Sequence, residues 1–100
     1  MKLSKRLSAI VKATEHSHYE HIWDCCCDHG YLGQALMQVH PNSQIHFVDV
    51  MPHLINEVEA QLATSACSNW QSHCLDAAHI QLSHEPHFSQ KHLVVIAGVG

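Results

Sequence analysis

From residue 21 onward, short apolar stretches alternate with stripes of helical period, and this alternation most restricts the folds open to the chain. Residues 21–25 read as a short buried strand, and Asp28, His29 and Gly30 as a turn. Leu32, Leu36 and Val39 continue as a helical stripe that His40, Pro41 and Asn42 stop. Residues 44–49 read as a second strand ending in a carboxylate. Pro52 then opens a helix with Leu54, Val58 and Leu62 on one face. Residues 70–75 form a weaker third strand, and 77–90 are irregular with Pro86 as a breaker. The unbroken apolar run 93–97 has the composition of a strand covered on both faces. Strands separated by helices pair in parallel through right-handed crossovers, so the spacing predicts a doubly wound α/β sheet.

Ahead of the first strand, Leu3, Leu7, Ile10 and Val11 predict an amphipathic helix over residues 3–14 with its cations on the opposite face. At 100 residues, 46% hydrophobic and 14% charged, the chain has the length of one small domain and too much apolar content for a disordered tail. Four of its five cations, Lys2, Lys5, Arg6 and Lys12, precede residue 13, and one Lys faces nine carboxylates thereafter. That balance excludes a surface that coats nucleic acid, because phosphate binding gathers many cations on one face. Any RNA contact falls to the amino-terminal segment. No stretch has the apolar core of a signal peptide or the length of a membrane span, so a cytoplasmic protein is expected. Five cysteines, three of them adjacent, form no disulfide framework, and a reducing compartment keeps them as thiols. The scatter of the twelve His reads as surface composition rather than one site.

Ligands of doubly wound sheets sit beyond the carboxyl ends of the strands. Asp24 to Gly30, Asp49, Asp76 and Gly98 all fall at such ends. The first strand-to-helix turn lacks G-x-G-x-x-G, and Asp24 and Asp28 would repel a pyrophosphate there. A cationic ligand suits the same turn. S-adenosylmethionine is one, with a sulfonium, an ammonium and a ribose whose hydroxyls match a carboxylate at the second strand's end. Asp49 has roughly the spacing from the first strand that the ribose acid shows in related βαβ units.

Three stretches carry a more specific resemblance: Leu3-Ser4-Lys5-Arg6-Leu7, Asp28-His29-Gly30-Tyr31-Leu32 and Ile96-Ala97-Gly98-Val99-Gly100. In this order and spacing they resemble the bacterial tRNA (adenine-N1)-methyltransferase family, which uses S-adenosylmethionine. The resemblance implies a Rossmann-like class I methyltransferase domain, with a mainly parallel sheet flanked by helices, apparently truncated after the fourth strand. Residues 1–100 then form a single, partial cofactor-binding domain with residues 1–14 as its amino-terminal helix, and 93–97 becomes an uncovered edge.

Carried over position by position, the resemblance makes Asp24, Cys26 and Gly30 the loop under the methionine moiety and Asp49 the ribose acid. Asp76 becomes the acid that reads the adenine amino group, and Ala97 and Gly98 the motif beside the methyl group. In-line displacement by adenine N1 follows, with Asp28 stabilising the charge that grows on the base and His29 holding the loop or the base. The target adenine leaves its stack before reacting, and Tyr31 offers a stacking face, although its residue type favours a core position. Lys5 and Arg6 are the phosphate contacts, and tRNA is the expected partner, with no membrane and no structural metal.

The chain departs from the family where Cys26 stands in place of Gly, Cys27 in place of Ser or Thr, and Gly33 in place of Pro; Glu is also frequent at position 49. A side chain at 26 crowds the cofactor pocket. Competing readings are an inactive or merely cofactor-binding relative, a methyltransferase with another acceptor, and, more weakly, a nicotinamide oxidoreductase. An Asp ahead of a helical stripe is, taken alone, more often its cap, and only the resemblance favours chemistry for Asp28. Adjacent strand cysteines point to opposite faces and no C-x-x-C pair is present, so Cys25, Cys26 and Cys27 read as small hydrophobes rather than zinc ligands.

Overall fold

A computed structural model describes residues 3–80 and 90–97. Lys5–Thr14 form helix α1, Tyr31–Val39 α2 and Pro52–Ala63 α3; His21–Cys25, Gln44–Asp49, Trp70–Cys74 and His92–Ile96 form strands β1 to β4. The sheet is wholly parallel with order β3-β2-β1-β4. The expected α/β architecture is therefore present, with the chain reversing direction across the sheet between β3 and β4. This reversal puts β4 beside β1, and the carboxyl ends of that pair are where such sheets open a crevice.

One face of the sheet, carrying Ile22, Ile45 and Phe47, packs against Val11, Leu32, Leu36, Ile55, Val58 and Leu62 from the helices. Alternation along the strands puts Trp23, Cys25 and Val48 on the other face, with Leu75, Ala77 and Ile80 packed against them. Cys25 and Cys27 thus belong to different clusters, as small buried hydrophobes do.

Local details revise several expectations. Helix α1 begins at Lys5 because the Ser4 side chain accepts from the Leu7 N–H at 3.2 Å and sets the cap. In α3 the buried stripe is Ile55, Val58 and Leu62; Leu54 lies one step off that face. Val39, at the end of α2, is exposed. Within residues 77–90, Ala77–His79 form a 3-10 turn capped by Asp76, while Pro86 lies outside the described residues. Strand β4 is one residue earlier than predicted and is an edge among the described residues, as the family order implied. It is not covered on both faces: Val94 and Ile96 are exposed.

The twelve His are not all scattered. His21, His46, His73 and His92 gather with Trp23 on the face away from the three main helices. His46 stacks on Trp23 at 3.7 Å between ring centroids, and His21 stacks on His92 at 4.7 Å. Ring nitrogens link His21 to His46 and His46 to His73 at 2.9 Å each. These residues come from all four strands and share one face of the sheet, a relation visible only once strand register is known.

Candidate active site

The loop after β1 is held by its own backbone. The Cys27 N–H donates to the Val48 carbonyl at 3.0 Å, and the Gly30 N–H donates to the Cys27 carbonyl at 2.7 Å. Cys26, Asp28 and Gly30 all adopt positive φ, at 58°, 52° and 75°. Gly30 makes this conformation without strain and stands as the N-cap of α2. Asp28 does not cap that helix, so the capping role favoured for an isolated Asp is not the one it has here.

Asp24 is buried beneath the loop. Its Oδ2 accepts from the Gly33 N–H at 3.0 Å, and burial raises its carboxyl to about 7 against that hydrogen bond, with the Asp49 charge adding to the rise. At the end of β2, Asp49 accepts from two backbone N–H groups, Asp28 at 3.2 Å through Oδ2 and Met51 at 3.0 Å through Oδ1. It ties the β1 and β2 loops together. Asp76 caps the 3-10 turn by accepting from the Ala78 N–H at 2.9 Å.

Among the described residues, two hollows open along the carboxyl edge of the sheet. One, of about 140 Å³, brings together Arg6, Asp24, Cys26, Asp28, His29, Tyr31 and Ala97 from segments distant in sequence. The other, of about 240 Å³, lies between Cys26, Asp49 and Asp76, with Val48, Leu75 and Ala77 as apolar walls. Most sequence-predicted site residues therefore converge. Gly30 is buried at the loop's end, Lys5 is exposed on α1 and does not border either hollow, and Gly98 lies outside the described residues. Tyr31 is 41% exposed at the rim, contrary to the favoured core reading, because it opens α2 on the side facing the hollow.

The rim holds one residue that sequence reasoning missed. His29 Nδ1 lies 3.8 Å from Oε2 of Glu57 on α3, while its Nε2 lies 3.7 Å from Oδ1 of Asp28 and its ring stacks on Tyr31 at 5.5 Å. Glu57 sits on a solvated helix face with no local motif to mark it. Phe47 was also missed. Its ring fills the space a Cβ at Gly33 would take, 2.3 Å from Cε1, which explains why this chain carries Gly there.

The donor set suits a cationic nucleoside: carboxylates border both hollows, and apolar walls flank the one between Asp49 and Asp76. A parallel sheet with this crevice and a first loop that is acidic and lacks G-x-G-x-x-G fits a class I methyltransferase fold better than a dinucleotide-binding one. The family described as "Methyltransferase domain" matches residues 3–100, and the chain belongs to that family of S-adenosylmethionine-dependent enzymes. Ribosomal RNA large subunit methyltransferase G from Shewanella loihica is 38% identical over 60 residues, covering 59% of this chain and 13% of that protein. The protein of the same name from Shewanella frigidimarina is 41% identical over 58 residues, covering 58% and 13%. The chain thus spans about an eighth of these relatives' length. Among solved structures, coclaurine N-methyltransferase bound to N-methylheliamine and SAH shares the fold, with TM-score 0.66, 14% identity, and coverage of 78% of this chain and 23% of that one.

Proposed function

We propose that this domain binds S-adenosylmethionine across the two hollows and directs methyl transfer to a base in RNA, with adenine N1 of tRNA as the acceptor. Asp24 and the 26–30 loop hold the methionine side, Asp49 the ribose and Asp76 the adenine amino group. The cofactor supplies an electrophilic methyl group carried on a sulfonium.

At the rim, Tyr31 offers a ring on which an unstacked base lies, and Arg6 offers a phosphate contact. The Asp28 carboxylate stabilises positive charge growing on the methylated base, and His29, between Asp28 and Glu57, keeps that carboxylate in place. Adenine N1 has a free lone pair, so no residue needs to remove a proton before attack. Catalysis rests on positioning. A cytoplasmic setting accords with five free thiols.

The observation that carries the tRNA reading is convergence: Arg6 of the first family-like stretch borders the same hollow as Asp28, His29 and Tyr31 of the second. A ribosomal RNA acceptor is the second reading, favoured by the names of the two Shewanella relatives. Incubating the protein with labelled S-adenosylmethionine and, separately, bulk tRNA and ribosomal RNA, followed by nucleoside analysis, separates them. Label in tRNA as 1-methyladenosine supports the first; label confined to ribosomal RNA supports the second. Cofactor binding without transfer to either RNA would favour an inactive relative or a different acceptor.

A further inference from the structure

Among the described residues, Cys26 is the one that borders both hollows. Its backbone is held at φ 58°, a conformation that disfavours any side chain. The loop has little room to relieve it, because the next two N–H groups are anchored, Cys27 to the Val48 carbonyl and Asp28 to Asp49. Cys26, exposed on this anchored loop, therefore stands between the Asp24 side and the Asp49–Asp76 side. A ligand confined to one hollow passes beside it. A ligand that spans both must pass over this residue, and forced contact with its side chain is destabilising in a packed site.

We infer that the Cys26 side chain is a partition that sets cofactor affinity, penalising ligands that bridge the two hollows and sparing those that occupy one. The inference rests on the cofactor reading proposed above and adds to it a determinant of selectivity. Its consequence is a domain that holds an S-adenosyl ligand less tightly than its carboxylates alone would allow, while binding a bare nucleoside without that penalty.

The test is calorimetric titration of wild type, Cys26→Ala and Cys26→Gly with S-adenosylhomocysteine and with adenosine, alongside a thermal melt of each protein. Ala keeps the backbone strain and removes the sulfur; Gly removes both. The expected result is S-adenosylhomocysteine binding about tenfold tighter in both variants, with adenosine affinity unchanged within about twofold. An unchanged S-adenosylhomocysteine affinity in Cys26→Ala would overturn the inference, as would equal tightening of adenosine. Adenosine binding without any S-adenosylhomocysteine binding in all three proteins would also overturn it while leaving the nucleoside site intact. Failure of both ligands to bind any of the three, with cooperative melts preserved, would overturn the cofactor reading and this inference together.

Discussion

The Gly33 N–H donates to Oδ2 of Asp24 at 3.0 Å, tying the first turn of α2 to β1 beneath the loop that borders the crevice. A Cβ at residue 33 would stand 2.9 Å from that same oxygen and 2.3 Å from the Phe47 ring. Gly33→Ala is therefore expected to lose about 1–3 kcal/mol of stability. Gly33→Pro loses more, because the N–H donor to a buried carboxyl disappears as well. Urea unfolding reads both, and an unshifted midpoint for Gly33→Ala would show that Phe47 yields freely.

Asp24 also imposes a pH dependence of unusual sign for a carboxyl. Its folded value, about 7, lies above the ordinary 3.8, so the folded state retains a proton that the unfolded state gives up. Stability from this group is fully present below 3.8 and is lost as pH rises toward 7. Asp24→Asn removes the loss and should be more stable than wild type at pH 8 by roughly 2–4 kcal/mol, converging with it near pH 4. Equal unfolding free energies at pH 8 would mean that Asp24 ionises there at little cost.

The imidazole row on the opposite face acts in the other direction. Burial, helped by the neighbouring His73, His21 and His92, depresses His46 to about 3, so its contribution is present above the ordinary 6.5 and lost as pH falls toward 3. Between pH 4 and 6.5 this slope opposes that of Asp24. Burial also lowers His73 and His40, which adds to the His46 slope, so wild-type stability should change less there than that of Asp24→Asn, which should gain about 1 kcal/mol or more per pH unit on the way up. His46→Phe, which keeps a ring on Trp23, should flatten that gain. A melting-temperature series that slopes identically in Asp24→Asn and His46→Phe would contradict the assignment.

Asp28 sits at φ 52°, a conformation Asn tolerates as well as Asp does. Asp28→Asn should therefore fold normally, leave S-adenosylhomocysteine affinity unchanged and lower methyl transfer about a hundredfold. Unchanged transfer would remove the carboxylate from the chemistry. Glu57→Gln, which releases His29 on its far side, should produce a smaller loss.

Much of this arrangement is legible in the sequence. The alternating periods located all four strands, because local breakers and helical stripes bracket each one, and the strand ends singled out Asp24, Asp49 and Asp76, whereas the strand order β3-β2-β1-β4 came only from the structure. The role of Asp28 relative to α2 was not legible, since Gly30 takes the cap through a positive φ that no side-chain pattern announces. Nor was the gathering of His21, His46, His73 and His92, which depends on the pairing register of strands up to dozens of residues apart. Tyr31 misled for a related reason: an aromatic at a helix start faces core or crevice according to where the preceding loop aims it.

The claim on which everything else depends is that the crevice from Asp24 to Asp76 binds an S-adenosyl nucleoside. Calorimetric titration with S-adenosylhomocysteine tests it most directly. The account predicts saturable one-to-one binding that weakens about tenfold or more in Asp76→Ala, whose side chain is exposed and whose loss spares the core. No heat of binding from a cooperatively folded wild-type protein, or the same affinity in Asp76→Ala, would contradict it.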